Sequence, residues 1–217
     1  MLATIGNLLE ERFTYKKWLK EDVFEHKVPN KLNFTFCFGG ITFLMFLLLV
    51  ATGVIMLFYY VPTVDHAFSS VEYITFDLPA GVYIRGIHHW CANGIIVFVA
   101  LHMLRVVVYG AYKNPREFHW ITGVVLLGVV MAFDFTGYLL PWDQKAYWAT
   151  KVGVLMPKGM PFIGEQVTQV MMGGTNIGAL TLSRFFALHV AVLPLVTAAF
   201  LLGHFIMIRR TGVAKPL

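Results

Sequence analysis

Residues 82–110 read VYIRGIHHWCANGIIVFVALHMLRVVVYG, a largely apolar run that carries His88 and His102 fourteen residues apart. A second run, residues 181–208 (TLSRFFALHVAVLPLVTAAFLLGHFIMI), carries His189 and His204 fifteen apart. On an α-helix either gap is about four turns, so each pair falls on one face with about 21 Å between its members. Polar side chains are costly in helices of this grade and are read first as functional. Two such helices side by side offer histidine at the same two depths, which suits two planar cofactors stacked across a bilayer. This is the layout of a transmembrane bis-histidine haem protein.

The composition agrees with a membrane setting. Hydrophobic residues make up 58% of the 217, charged residues 13%, and the mean hydropathy is +0.68. Four stretches are long enough to cross a hydrocarbon core of about 30 Å. Their predicted limits are about 32–60, 82–110, 118–140 and 181–208, and the first carries no charge from Leu32 to Val64. Because no open sheet edge can face lipid, all four are read as helices. The expected fold is an all-α membrane protein, a single domain over 1–217 with four transmembrane helices in a haem-binding bundle.

Twelve basic residues fall on one side of this arrangement: Arg12, Lys16, Lys17, Lys20, Lys27, Lys31, Arg105, Lys113, Arg116, Arg209, Arg210 and Lys215. Five fall on the other, Arg85, Lys145, Lys151, Lys158 and Arg184. The positive-inside rule then puts both termini on the cytoplasmic or stromal side. The net charge of +5 is mostly this bias and calls for no nucleic-acid partner. The charged first thirty residues lack a short apolar core and a cleavage site, so no signal peptide is expected. Residues 5–13 (IGNLLEERF), within the segment 1–31, read as an N-terminal amphipathic surface helix. The connection from about Pro141 to Leu180 holds three prolines and several glycines, which predicts short helices and turns on the outer side.

With termini inside, the second and fourth helices run in the same direction, so depth pairs His88 with His189 and His102 with His204. Two histidines per iron leave no open position, which favours a low-spin electron carrier. His26, His66, His89 and His119 lack partners at matched depth and read as loop or interfacial residues. Gly39 and Gly53 in the first helix, and Gly123 and Gly137 in the third, repeat the fourteen-residue step at the same depths. Glycine is unfavourable in a helix interior unless something approaches the backbone closely, so these read as notches flanking the cofactors; small-residue helix packing is the competing reading. Arg85, Arg105 and Arg184 lie three to five residues from the histidines. They suit haem propionates, or serve as interface anchors; both readings fit the spacing. Two cysteines, Cys37 and Cys91, make no disulfide framework, and no Cys-x-x-Cys-His sequence is present for ordinary c-type attachment.

Several words of the sequence are distinctive: 36–42 (FCFGGIT), 85–90 (RGIHHW), 113–117 (KNPRE), 136–144 (TGYLLPWDQ), 182–189 (LSRFFALH) and 204–209 (HFIMIR). Over nearly its whole length the chain resembles the cytochrome b6 family of cytochrome b6f complexes, and the related short b-type cytochromes of Gram-positive menaquinol–cytochrome c reductases. The fifteen-residue step from His189 to His204 and an end after four helices are similar to the b6 branch. The resemblance implies a cytochrome b subunit, not catalytic alone, of a quinol:cytochrome c or plastocyanin oxidoreductase. Electrons would pass from an outer quinol-oxidising site to an inner quinone site, coupled to proton translocation. It also implies two haem b groups, a quinone (menaquinone or plastoquinone), a subunit IV-type protein, a Rieske iron–sulfur protein, a cytochrome c or f subunit, and a dimeric complex. The expected home is a bacterial plasma membrane or a thylakoid.

By the same resemblance, Gly137, Tyr138, Pro141, Trp142 and Tyr147 belong to one wall of the quinol-oxidising pocket, within 137–151. Asp22 and Arg209 match positions near the inner quinone site. Cys37 matches a cysteine that holds a third haem, c-type, through one thioether; Cys91 reads as packing. The chain departs from the plant and cyanobacterial pattern at His89, at Ala111-Tyr112-Lys113 and at Asp134. His89 replaces an arginine, and Asp134 stands inside the third helix where a small or apolar residue is expected. An acid there is expensive unless protonated or paired; it reads as a proton relay, or as a partner of Arg85 or Arg184. A haem-bearing membrane anchor of a quinone-linked dehydrogenase or hydrogenase is the alternative function. A small transporter or purely structural subunit would leave the four histidines incidental.

Overall fold

A bilayer core leaves no water for backbone N–H and C=O groups, so each apolar run must bond within itself as a helix. The computed structural model describes residues 34–214, and all seven of the helices in that range follow from this or from local turn chemistry. They are α1 (Phe34–Leu57, its first turn a 3₁₀ turn over Phe34–Cys37), α2 (Ala67–Phe76), α3 (Gly81–Val108), α4 (Glu117–Leu139), α5 (Gln144–Leu155), α6 (Gly164–Met172) and α7 (Ala179–Thr211). No strand occurs among the described residues. The chain is an all-α membrane protein whose four spans are α1, α3, α4 and α7. Asp22 and the proposed surface helix within 1–31 lie outside the described residues.

The observed bounds differ from the predicted ones by a few residues. α1 ends at Leu57, ahead of Pro62, which cannot continue a helix and biases its predecessor away from one. α3 ends at Val108, two residues before Gly110 turns at φ +60°. α7 is longer than predicted, 33 residues, because Thr181 and the last basic turn extend it at both ends.

α7 is also irregular. Residues Leu188–Val192 form a π-helical turn, with the Leu193 N–H reaching back five residues to the Leu188 carbonyl. Pro194 follows at once and supplies no N–H of its own. A π turn takes up one extra residue. That explains why α7 needs fifteen residues between its histidines where α3 needs fourteen.

α1 packs chiefly on α3, and α4 on α7. Phe43 against Phe205 (5.0 Å, 87°) and Phe46 against Phe133 (6.4 Å, 66°) join the two pairs through edge-to-face rings. Outward-facing residues such as Leu104 and Leu195, 58% and 72% exposed, form apolar flanks that water would not tolerate and lipid does.

At the end of the bundle where α4 finishes and α7 begins, the connections fold back over the spans. Ala67, Leu139, Val154, Ile177, Leu182 and Phe185 make a buried cluster there. α5 is started by Asp143, whose carboxylate accepts from the Ala146 N–H at 2.7 Å. Tyr60 donates its hydroxyl to the Leu140 carbonyl at 2.7 Å, and burial pushes its phenol up, which keeps it a neutral donor. α2 was not foreseen from its mixed composition; Ala67, Ser70 and Ile74 are its buried face.

Candidate functional site

The two helix pairs bring histidine and glycine together at two levels. At one level a Cβ added to Gly53 of α1 would lie 3.3 Å from His88 Cε1 of α3, and one on Gly137 of α4 would lie 2.6 Å from His189 Cε1 of α7. At the other level, Gly39 would meet His102 Cε1 at 3.0 Å and Gly123 would meet His204 Cε1 at 3.8 Å. Gly39, Gly53 and Gly137 let an imidazole lie against a helix backbone, and Gly123 faces His204 with room for an ordinary contact.

His88 and His189 face one another with ring centroids 6.4 Å apart and planes at 58°. Two metal–imidazole bonds of about 2 Å, plus about 1 Å from each ring centre to its nitrogen, come to about 6 Å. The gap fits one iron held by both rings. At the second level the nearest ring to His204 is that of His119, 6.1 Å away. Of the two readings, loop or interfacial, the second fits His119. It sits in the first turn of α4, its Nε2 is 3.1 Å from the Thr211 hydroxyl, and its buried Nδ1 has no partner among the described residues.

A set of residues that sequence reasoning passed over orients the rings. Thr52 Oγ1 lies 2.9 Å from His88 Nδ1, Thr136 Oγ1 3.1 Å from His189 Nδ1, and Thr122 Oγ1 2.9 Å from His204 Nδ1. Each threonine donates its only proton to a carbonyl four residues back, namely that of Leu48 (2.6 Å), Ala132 (2.7 Å) or Phe118 (3.0 Å). The hydroxyl oxygen is left to accept, so Nδ1 carries the ring proton and Nε2 is bare. A bare Nε2 is what an iron takes. The signal was available in the sequence: each of these threonines immediately precedes one of the notched glycines, at 52–53, 122–123 and 136–137.

The cationic residues divide. Arg105 stacks over the Phe36 ring at 3.9 Å, and its Nε and Nη2 are buried without a hydrogen-bond partner among the described residues. Unpaired guanidinium donors beside the His102 level suit an anionic ligand group. Arg184 instead donates to the Val170 carbonyl and packs against Gly173, which spends part of its fork on the chain. Arg85 lies in the first turns of α3, and Arg209 is exposed in the last turn of α7. Cys37 closes the 3₁₀ turn of α1 as an exposed free thiol, next to Phe36 under Arg105 and two residues before Gly39. Cys91 is buried.

Asp134, Tyr138 and Thr150 line a cavity of about 250 Å³ with Ile96, Met131, Phe135 and Ala149. Asp134 forms no ion pair with Arg85 or Arg184. The adjoining segment is tightly held. Trp142 adopts φ +54°, a left-handed conformation that costs a bulky residue about 1–3 kcal/mol. It is fixed by its N–H to the Leu139 carbonyl (2.9 Å) and by the Tyr147 ring at 5.9 Å and 88°.

A family model described as cytochrome b/b6/petB matches residues 23–212. Curated relatives named cytochrome b6 align along the full length of both chains. One from Porphyra purpurea is 45% identical over 216 residues, one from Gracilaria tenuistipitata var. liui 46% and one from Chlamydomonas reinhardtii 44%. Among solved structures, a chain from a hyperthermophilic respiratory Complex III superposes with a TM-score of 0.84 at 32% identity. That match takes in 97% of this chain and 56% of the other, so the chain spans a little over half of its structural relative.

Proposed function

The chain belongs to the cytochrome b/b6 family, and from that premise we propose that it is the electron-carrying cytochrome b subunit of a quinol oxidoreductase, one domain over 1–217. The observation that carries this reading is the His88–His189 gap of 6.4 Å between two rings whose Nδ1 edges are both held by threonine. His88 and His189 would bind one haem b through Nε2; His102 and His204 would bind a second. Haem, when bound this way, supplies reversible one-electron transfer with no open iron position. Gly39, Gly53, Gly123 and Gly137 admit the rings to the backbone, and the unpaired donors of Arg105 would hold a propionate. Arg85 and the free part of Arg184 would do the same at the other level.

The two levels define a path across the membrane from a quinol site at one face to a quinone site at the other, coupled to proton movement. Gly137, Tyr138, Pro141, Trp142 and Tyr147 would wall the quinol side. Asp134, on the cavity beside Tyr138, would pass protons there. Asp22 and Arg209 would serve the opposite face. The exposed thiol of Cys37 would hold a third haem by one thioether, facing that second quinone site. The partners of this reading are a subunit IV-type protein, a Rieske iron–sulfur protein and a cytochrome c or f subunit, in a dimeric complex. Its membrane would be a bacterial plasma membrane or a thylakoid, with both termini on the cytoplasmic or stromal side, where the basic residues gather.

The experiment is made on the assembled complex. A quinol added to it should reduce a b-type α band, and haem fluorescence should stay with this chain on a denaturing gel. A complex with no b-type band contradicts the haem reading. A b-type band that no quinol reduces contradicts the quinol reading, and loss of fluorescence on the gel removes the Cys37 assignment alone.

A further inference from the structure

Glycine admits each histidine ring to a helix, and the residue before that glycine decides what the Nδ1 edge meets. At 52–53, 122–123 and 136–137 that residue is threonine, at 2.9, 2.9 and 3.1 Å from Nδ1 of His88, His204 and His189. At 38–39 it is Phe38. The His102 ring approaches Gly39 as closely as the others approach theirs, with Cε1 3.0 Å and Nδ1 3.2 Å from an added Cβ. Yet no hydrogen bond to His102 occurs among the described residues, and Phe38 is occupied with the rings of Phe34 (5.8 Å) and Phe98 (6.2 Å). Two of the four ring-and-notch units therefore carry a hydroxyl at the His88–His189 level, and only one does at the His102–His204 level.

We propose that Thr52, Thr136 and Thr122 are positioning residues that tune the irons through the histidines they hold, and that His102 is the one ligand left untuned. The inference rests on the reading that these four histidines bind haem iron. The chemistry is that of an outer-shell acceptor. A hydroxyl whose own proton is committed to a helix carbonyl can only accept from Nδ1–H. It draws that proton, makes Nε2 the more basic, and so favours the oxidised iron. Removing the hydroxyl should leave the ligand a weaker donor and raise the potential of that iron alone.

The test is an equilibrium redox titration of the purified complex, followed in the b-type band, with Thr52→Val, Thr136→Val, Thr122→Val and the matching serine variants. Thr52→Val and Thr136→Val should each raise one b-type component by about tenfold in its reduced-to-oxidised ratio, about 59 mV for a one-electron couple. Thr122→Val should raise the other component, and each serine variant should keep the unaltered value. Haem-replete valine variants with unmoved potentials, variants that move both components equally, or serine shifts as large as valine shifts overturn the assignment. If the valine variants lose haem, the unaltered oxidised complex decides by pulsed EPR before and after exchange into heavy water. Two hydrogen-bonded Nδ1 protons at one centre, and one bonded with one unbonded at the other, support the inference; two identical centres overturn it. Absence of any b-type signal in the unaltered complex overturns the haem reading and this inference with it.

Discussion

Gly137→Ala is expected to empty the His88–His189 level of haem and to leave the His102–His204 level filled. The methyl group would arrive 2.6 Å from His189 Cε1, 3.1 Å from Nδ1 and 3.3 Å from Nε2. The ring is restrained on two sides. Its Nδ1 is tied to Thr136, and the Phe133 ring stands edge-on 5.5 Å away at 84°. Overpacking of this kind costs about 1–3 kcal/mol, and here it falls on a ligand whose direction is fixed by the same helix. Gly123→Ala is the internal control, because its Cβ would meet His204 at 3.8 Å, an ordinary contact. Haem content and the reduced-minus-oxidised spectrum measure both: Gly137→Ala should lose one b-type component and Gly123→Ala neither. Full occupancy of both b-type components in Gly137→Ala would mean that the notch at Gly137 is not what admits the His189 ring.

Phe185→Ala should produce the largest loss of stability outside the haem ligands. Phe185 is 1% exposed, packs edge-on against Phe135 at 5.3 Å, and shares its cluster with Leu139, Val154 and Leu182. Truncating a buried phenylalanine costs about 3–5 kcal/mol. Its place gives that loss a particular readout. Phe185 precedes the π turn and His189 on α7, and it pins the start of that helix to the end of α4 and to α5. Thermal release of haem should therefore start at a lower temperature, with the His88–His189 component going first. Unchanged thermal release would show that the buried cluster does not set the position of α7.

The spans were the most legible part of the molecule, because a charge-free run of this length has one stable form in lipid. Their ends were less so. The α1 and α3 ends depend on Pro62 and on the left-handed Gly110, whose effects a hydrophobic count does not register. Histidine and glycine were legible through a shared spacing, since a fourteen-residue step returns to one helix face. The fifteen-residue step of α7 could be counted, but its cause, a π turn ahead of Pro194, is a matter of backbone hydrogen bonding. Thr52, Thr122 and Thr136 escaped notice because a threonine that bonds its own helix carbonyl looks inert in a sequence. Only the neighbouring helix brings a ring nitrogen to its free lone pair. The nearness of His119 to His204 and Thr211 was hidden for a similar reason, because it depends on how α4 and α7 pack. Asp134 was legible as costly, but not as the lining of a cavity with Tyr138 and Thr150.

The pairing of histidines across helices is the centre of the account, and single replacements by leucine test it most directly. Reduced-minus-oxidised spectra, resolved by redox titration, should show that His88→Leu and His189→Leu remove the same b-type component. His102→Leu and His204→Leu should remove the other. If His88→Leu and His102→Leu removed the same component, each pair would belong to one helix and the two-level arrangement would be wrong.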